Sequence, residues 1–154
     1  MVNEEKQILI KDICARLPYY PMIQIYNDSW DGCRKGEFDN MLGFHYIEAF
    51  LCDRIEILPY LRPMSSMTEA ELNECVQQSG IRDVECPHWH DLPKEKQFDE
   101  RLKHSMDMFL VDSRTIDWLN KKMFDYRGLI RVGLALEAPE GMYESYRKAM
   151  EETK

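Results

Sequence analysis

The sequence lacks the patterns that usually indicate membrane insertion, secretion or nucleotide binding. No apolar run approaches the roughly 20 residues of a membrane-spanning helix. The N-terminal stretch is acidic where a secretory signal would carry basic residues and then a long apolar segment. The seven glycines form neither a GxGxxG motif nor a GxxxxGKS or GxxxxGKT loop. We therefore expect a cytoplasmic protein, and neither of these two nucleotide-binding loops is present in the sequence.

Cysteine pairs and basic stripes are also missing. The five cysteines are widely spaced, odd in number and without a CxxC pair, so we expect free thiols and no disulfide framework. The 20 Lys and Arg residues are outnumbered by 28 Asp and Glu residues, which gives a net charge of −8. Because nucleic-acid affinity depends on basic side chains that neutralise phosphates, a nucleic-acid partner is not expected.

What is present fits one globular domain. The chain has 154 residues, of which 44% are hydrophobic and 31% charged, and this length is typical of a single domain with its own core. We expect one α+β domain over residues 1–141 and a charged tail over residues 142–154 that can extend as a helix. The tail is rich in charged residues and should fray at its end.

The N-terminal half predicts one helix followed by strands. Apolar residues at helical spacing predict a helix over residues 3–16, and the alternation of Met22–Tyr26 predicts a strand. Residues 36–52 mix both periods, so they fit either a hairpin or a strand followed by a short helix, and we favour strands. Ile55–Leu58 is a further short apolar piece, closed by Pro59. Together these pieces predict a small antiparallel sheet that can be barrel-like and packs on the first helix.

The C-terminal half predicts helices, so the whole chain is expected to be α+β with four to five helices. The strongest signal is a capping box, in which Thr68 is followed three residues later by Glu71. The other expectations are a helix end near Gln78, a loop over residues 81–97, a helix over Phe98–Leu110, a helix from Ser113 or Thr115, and a short helix capped by Asp125.

Several phrases of the sequence resemble a family of short uncharacterised proteins. They are Cys14–Tyr19 (CARLPY), Tyr60–Glu71 (YLRPMSSMTEAE), Asp117–Asn120 (DWLN) and Asp125–Tyr143. Members of that family come from anaerobic gut bacteria and from their phages and mobile elements. The similarity covers a little over a third of the chain in the same order. It implies a bacterial or mobile-element setting and no particular activity, and it assigns no functional residue.

One local cluster suggests a metal site. In an extended segment, Cys86, His88 and His90 would project from the same side, and a thiolate with two imidazoles suits zinc. Two prolines nearby, and the lack of a second Cys or His pair at a recognised spacing, favour an ordinary surface loop. We therefore expect no cofactor and keep zinc as the alternative.

Four residues in the Pro- and Gly-rich stretches are candidates for an interaction surface. Tyr126 and Arg127 could bind a carboxylate or a phosphate, and Tyr60 and Arg62 lie in a similar aromatic connection. A structural interpretation competes with this one. In it Asp125 caps, Tyr126 packs, Gly128 permits close backbone approach, and Tyr60 and Arg62 pack in an ordered connection.

The function predicted from these features is binding. Ten methionines and an acidic surface fit a non-enzymatic accessory or adaptor protein that acts through protein–protein contacts. Homo-oligomerisation remains open. The alternative is a small metal-dependent or cysteine enzyme that uses Cys86, His88 and His90.

Overall fold

The computed structural model describes residues 3–26, 34–36, 43–79 and 113–144, together with residue 148. Helices and a small sheet alternate along the chain, so the prediction of an α+β protein is confirmed. The helices are α1 (Asn3–Arg16), α2 (Gly43–Leu51), α3 (Glu69–Ser79) and α4 (Ser113–Lys121), and single 3₁₀ turns cover Leu17–Tyr19 and Met64–Ser66. The strands are β1 (Ile23–Tyr26), β2 (Arg34–Gly36), β3 (Glu56–Leu61) and β4 (Leu136–Glu137).

The sheet is mixed and open, so the prediction of an antiparallel, barrel-like sheet was wrong. The strand order is β2-β1-β3-β4. Strand β1 pairs antiparallel with β2 and β3, whereas β4 pairs parallel with β3. The parallel pairing arises because the chain returns to the sheet edge through α3 and α4 instead of a hairpin.

Strand β3 continues through Pro59, where the sequence had suggested that the apolar piece ends. The amide of Tyr60 donates to Met22 on the β1 side, so Pro59 faces the opposite edge of the strand. Strand β4 begins to pair only at Tyr60. Because the missing amide of Pro59 faces a part of that edge without a ladder partner, the proline is tolerated.

The prediction of strands over residues 36–52 was also wrong for most of that range, which is helical. Helix α2 buries Phe50 (2% exposed) and leaves Leu51 57% exposed. Tyr46, four residues before Phe50, packs against the same group of buried side chains, which come from α1, α2, β1 and β3. Spacing of three to four residues thus determines which side faces the core, and the turn residues before the segment did not reveal this.

The capping box of α3 is confirmed. The amide of Glu71 donates to the Thr68 hydroxyl at 3.2 Å, and the Glu71 carboxylate accepts from the Thr68 amide at 3.0 Å. Both partners therefore satisfy amides that the first helical turn leaves without an intrahelical acceptor.

Residues 125–130 form turns and no helix, which corrects the predicted short helix. The Asp125 carboxylate accepts from the amides of Leu129 and Ile130 at 2.8 and 2.9 Å, so Asp125 does hold the following backbone. Gly128 has φ +72°, and nothing lies within 4 Å of the position that a Cβ would occupy. The glycine is thus required by left-handed backbone and not by close approach of a neighbour.

In the part of the chain that the structure describes, buried side chains form three clusters. The first joins α1, α2 and the sheet, the second joins α3 to α4, and the third lies under the turn before β4. Their buried members are, in that order, Leu9, Ile13, Ile23, Phe50 and Ile57; Met67, Leu72, Cys75, Trp118, Leu119 and Phe124; and Leu61, Leu129, Leu134 and Ala135.

A fully buried ion pair connects α1 to the end of the second cluster. Asp12 and Arg16 both have 0% exposure. The Arg16 side chain donates through Nε to Asp12 Oδ2 at 2.7 Å and through Nη2 to Asp12 Oδ1 at 3.0 Å. Nη2 also donates to the Phe124 carbonyl at 2.9 Å. Each charge therefore depends on the other, since neither reaches water.

We predict that Asp12→Ala destabilises the protein by about 3–5 kcal/mol, because it leaves the Arg16 charge buried without a partner. The free energy of unfolding from urea titration measures the loss. Replacing both partners (Asp12→Leu with Arg16→Met) should cost less than Asp12→Ala alone, because no charge then remains buried. A double variant that is the less stable of the two would contradict the prediction.

Candidate functional site

The predicted zinc ligands lie outside the described residues. Cys86, His88 and His90 fall between α3 and α4, so the zinc hypothesis stays a prediction. Within the described ranges, Cys, His, Asp and Glu side chains form no group of three that could hold a metal ion. In the same part of the chain, no helix is long and apolar enough to span a bilayer.

Tyr60 is an interior residue, although the sequence suggested it for an interaction surface. It is 8% exposed, and its hydroxyl donates to Gln24 Oε1 at 3.0 Å. Its carbonyl accepts a hydrogen bond from the Tyr143 hydroxyl. Tyr60 therefore joins β3 to β1 and to the segment after β4, and offers little side-chain surface to a partner.

Arg62 is fixed by contacts of both its side chain and its backbone. Its guanidinium donates to both carboxylate oxygens of Glu71, at 2.7 and 3.1 Å, and lies 4.3 Å from the centre of the Phe124 ring. Its backbone amide donates to Met123, and its carbonyl accepts from the Asp125 amide. The side chain is 18% exposed, so Arg62 is mainly a junction whose charge Glu71 neutralises.

Tyr126 and Arg127 lie beside α1, next to the buried ion pair. The Tyr126 ring has the Arg16 guanidinium 5.5 Å and the Arg127 guanidinium 5.1 Å from its centre. Arg127 Nη1 lies 3.7 Å from Asp12 Oδ1, and its side chain is 31% exposed. Of the four residues predicted for one surface, this pair therefore neighbours a different part of the fold from Tyr60 and Arg62.

A groove lies where Arg62 meets the segment after β4. It has a volume of about 510 Å³ and is lined by Arg62, Pro63, Ser66, Thr68 and residues 137–144. We call it the acidic groove, because exposed carboxylates of Glu137, Glu140 and Glu144 lie along it. None of the three makes an ion pair with another described residue.

The wall formed by residues 137–144 is anchored to the sheet at two points. The Ala138 amide donates to the Leu61 carbonyl at 2.8 Å, and the Tyr143 hydroxyl donates to Tyr60. Between them, Gly141 has φ +74° and lies within a turn that the Met142 amide closes on the Pro139 carbonyl at 3.1 Å. The wall thus has a defined path before any partner arrives.

The opposite wall is fixed by polar contacts of its own. The Ser66 hydroxyl donates to the Pro63 carbonyl at 2.8 Å, and Thr68 belongs to the capping box of α3. Glu71 connects that box to Arg62. Burial raises the pKa of the Glu71 carboxyl, but hydrogen bonds from Arg62 and Thr68 outweigh burial and hold it below its usual range.

We predict a pH-dependent contribution of Glu71 to stability. Because its pKa is lower in the folded protein, the stabilisation is fully present above the unfolded value of 4.5 and disappears as pH falls through the folded value. Glu71→Gln should therefore destabilise the protein by about 1 kcal/mol near pH 7 and by much less near pH 3. Denaturant unfolding at both pH values measures the difference.

Glu69→Gln is the matched control, since it removes a charge from the same helical turn without breaking an ion pair among the described residues. A loss for Glu71→Gln that is equal at both pH values, or equal to that of the control, would contradict the prediction.

Cys75 is protected from reaction by its surroundings. It has 0% exposure in the second cluster, and burial, assisted by the negative charge of Glu74, raises the pKa of its thiol to about 12. Since the thiolate is the nucleophile, this thiol is unsuited to covalent catalysis. Cys14 and Cys52 are exposed free thiols.

We predict that iodoacetamide at about pH 8 alkylates Cys14 and Cys52 in the folded protein and leaves Cys75 unmodified. Peptide mass spectrometry after brief labelling distinguishes the three sites, and labelling in denaturant shows that Cys75 can react once unfolded. Alkylation of folded Cys75 at the rate of Cys14 would contradict the prediction.

Sequence patterns identified neither the acidic groove nor the burial of Arg16. Asp12 and Arg16 have the i, i+4 spacing of an ordinary surface ion pair, and nothing local shows that both are buried. Glu137 and Glu140 fall in the predicted domain and Glu144 in the predicted tail, and no sequence pattern placed the three together. Comparison with protein-family profiles, curated proteins and solved structures found no match to this chain.

Proposed function

We propose that this protein is a non-enzymatic accessory protein that acts by contact with a protein partner through the acidic groove. One observation carries the proposal: a groove of about 510 Å³ with anchored walls presents three exposed carboxylates that no described cation neutralises. Among the described lining residues the only basic one is Arg62, which already binds both carboxylate oxygens of Glu71. The groove therefore has spare negative charge and little spare positive charge.

The chemistry of the lining favours a segment that carries Lys or Arg side chains. Carboxylates of Glu137, Glu140 and Glu144 can pair with the cationic ends. Pro63, Pro139 and the partly buried Met142 offer apolar surface to the aliphatic stems. Because the walls are fixed before binding, less ordering entropy is lost when the segment arrives. A nucleic acid would instead be repelled by the same carboxylates.

The hydroxyl groups along the groove support binding over catalysis. Ser66 donates to a backbone carbonyl, Thr68 belongs to the capping box, and Tyr143 donates to Tyr60. The carboxylate nearest to a hydroxyl is that of Glu71, which Arg62 holds at 2.7 and 3.1 Å. The Thr68 hydroxyl contacts the Glu71 carboxylate, which Arg62 already binds, so that carboxylate is not a free base for a nucleophilic hydroxyl.

The test is binding of short fluorescent peptides measured by anisotropy. A flexible peptide with spaced Lys and Arg residues should bind, and its charge-reversed counterpart with Glu should not. Glu137→Gln, Glu140→Gln and Glu144→Gln together should weaken binding by about 3- to 100-fold, the sum expected for three exposed ion pairs. Added salt should weaken the wild-type interaction further.

A charge-matched control separates the groove from the net charge of the protein. Glu4→Gln, Glu48→Gln and Glu56→Gln together remove three exposed acids outside the groove lining. If both triple variants lose the same affinity, attraction is diffuse and the groove is not the contact surface. If the basic peptide binds no better than the acidic one, the proposed partner chemistry is wrong.

A further inference from the structure

Four buried side-chain atoms of the described residues have no hydrogen-bond partner among the protein's atoms. They are Arg16 Nη1, Thr115 Oγ1, Asn120 Oδ1 and the Tyr126 hydroxyl. Two of the four, Arg16 Nη1 and the Tyr126 hydroxyl, belong to side chains that contact each other. A buried polar atom without a partner costs roughly 1–3 kcal/mol, and a charged one costs more. Two such atoms in adjoining side chains therefore call for a common explanation.

A second guanidinium lies in the same place. Arg127 contacts the Tyr126 ring, with 5.1 Å between its guanidinium carbon and the ring centre. Its Nη1 is 3.7 Å from Asp12 Oδ1, which is close enough for Coulomb attraction but too long for a hydrogen bond. Both carboxylate oxygens of Asp12 accept short hydrogen bonds from Arg16, at 2.7 and 3.0 Å. Two cationic side chains thus share one carboxylate.

The unused groups are matched by one kind of ligand. Arg16 Nη1 and Arg127 can only donate, and the Tyr126 hydroxyl can donate as well. Donors on two guanidinium groups, with an excess of one positive charge, suit an anion with several acceptor oxygens. We propose that Arg16, Tyr126 and Arg127 form an oxyanion site that takes a carboxylate or phosphate group of a small molecule.

The exposure of the three side chains sets the direction of approach. Arg16 has 0% exposure, Tyr126 is half-buried and the Arg127 side chain is 31% exposed. Because water does not reach Arg16, the ligand enters past Arg127 and displaces that side chain to bring its oxygens to the Tyr126 hydroxyl and Arg16. This site is independent of the acidic groove, because the two select ligands of opposite charge.

Calorimetric titration of the full chain tests the site with inorganic phosphate, acetate and succinate in separate arms. Chloride maintains the ionic strength. Saturable binding of phosphate alone assigns the site to phosphate groups, and binding of acetate or succinate assigns it to carboxylates. Arg127→Gln should weaken the affinity for the anion by about 10- to 100-fold, the effect of one lost charge-assisted hydrogen bond.

Tyr126→Phe separates a binding role from a structural one. Because this buried hydroxyl has no partner in the protein, its removal should leave the midpoint of urea unfolding unchanged or raise it in the absence of anion. The same change should weaken anion binding several-fold. Arg131→Gln, which removes an exposed arginine four residues from Arg127, is the matched control and should bind as the wild type does.

Three results would overturn the proposal. One is the absence of saturable binding by any of the three anions. Another is equal weakening by Arg131→Gln and Arg127→Gln, which would show general charge attraction. The last is a Tyr126→Phe variant that binds as tightly as the wild type, because the hydroxyl would then not contact the anion.

Discussion

The fold depends on one residue, Arg62, at the end of β3. Its backbone extends the central strand toward residues 123–125, because its amide donates to Met123 and its carbonyl accepts from Asp125. Its side chain binds Glu71 of α3 through two hydrogen bonds and lies 4.3 Å from the Phe124 ring centre. A planar guanidinium can pair with a carboxylate along its edge while stacking on a ring, which lysine cannot do. One side chain therefore locates α3 and the end of α4 against the sheet.

Phe124 connects Arg62 to helix α1. Its ring stacks on Trp118 with 5.8 Å between centres and contacts Arg62, and its carbonyl accepts from Arg16 on α1 at 2.9 Å. The acidic groove begins at Arg62, and the oxyanion site begins at Arg16. Phe124 therefore supports both proposed sites, because packing and hydrogen bonds fix its neighbours.

Local patterns in the sequence predicted structure well where the interactions are local. Thr68 and Glu71 are three residues apart, so the capping box could be predicted without knowing the fold. Helix α2 could not, because its residues satisfy both periods and only burial of Phe50 against a distant strand decides between them. The sites were harder still. Arg16 reaches Phe124 across 108 positions, and the two walls of the acidic groove are brought together by parallel pairing of β4, which no short motif indicates.

The distribution of charge among the described residues supports the proposed binding role. Acid–base chemistry needs a titratable group beside the atom that gains or loses a proton. Here Glu71 is tied to Arg62, Glu74 to Lys122 and Trp118, and Asp12 to Arg16. Charges without partners remain at the groove rim, where water and a partner reach them equally. A charge in that position changes little chemically when it pairs, but it determines which partner approaches and in which orientation. On the proposed function, the exposed carboxylates of the groove would select basic segments, and the proposed anion site is confined to the place where two described arginines share one aspartate.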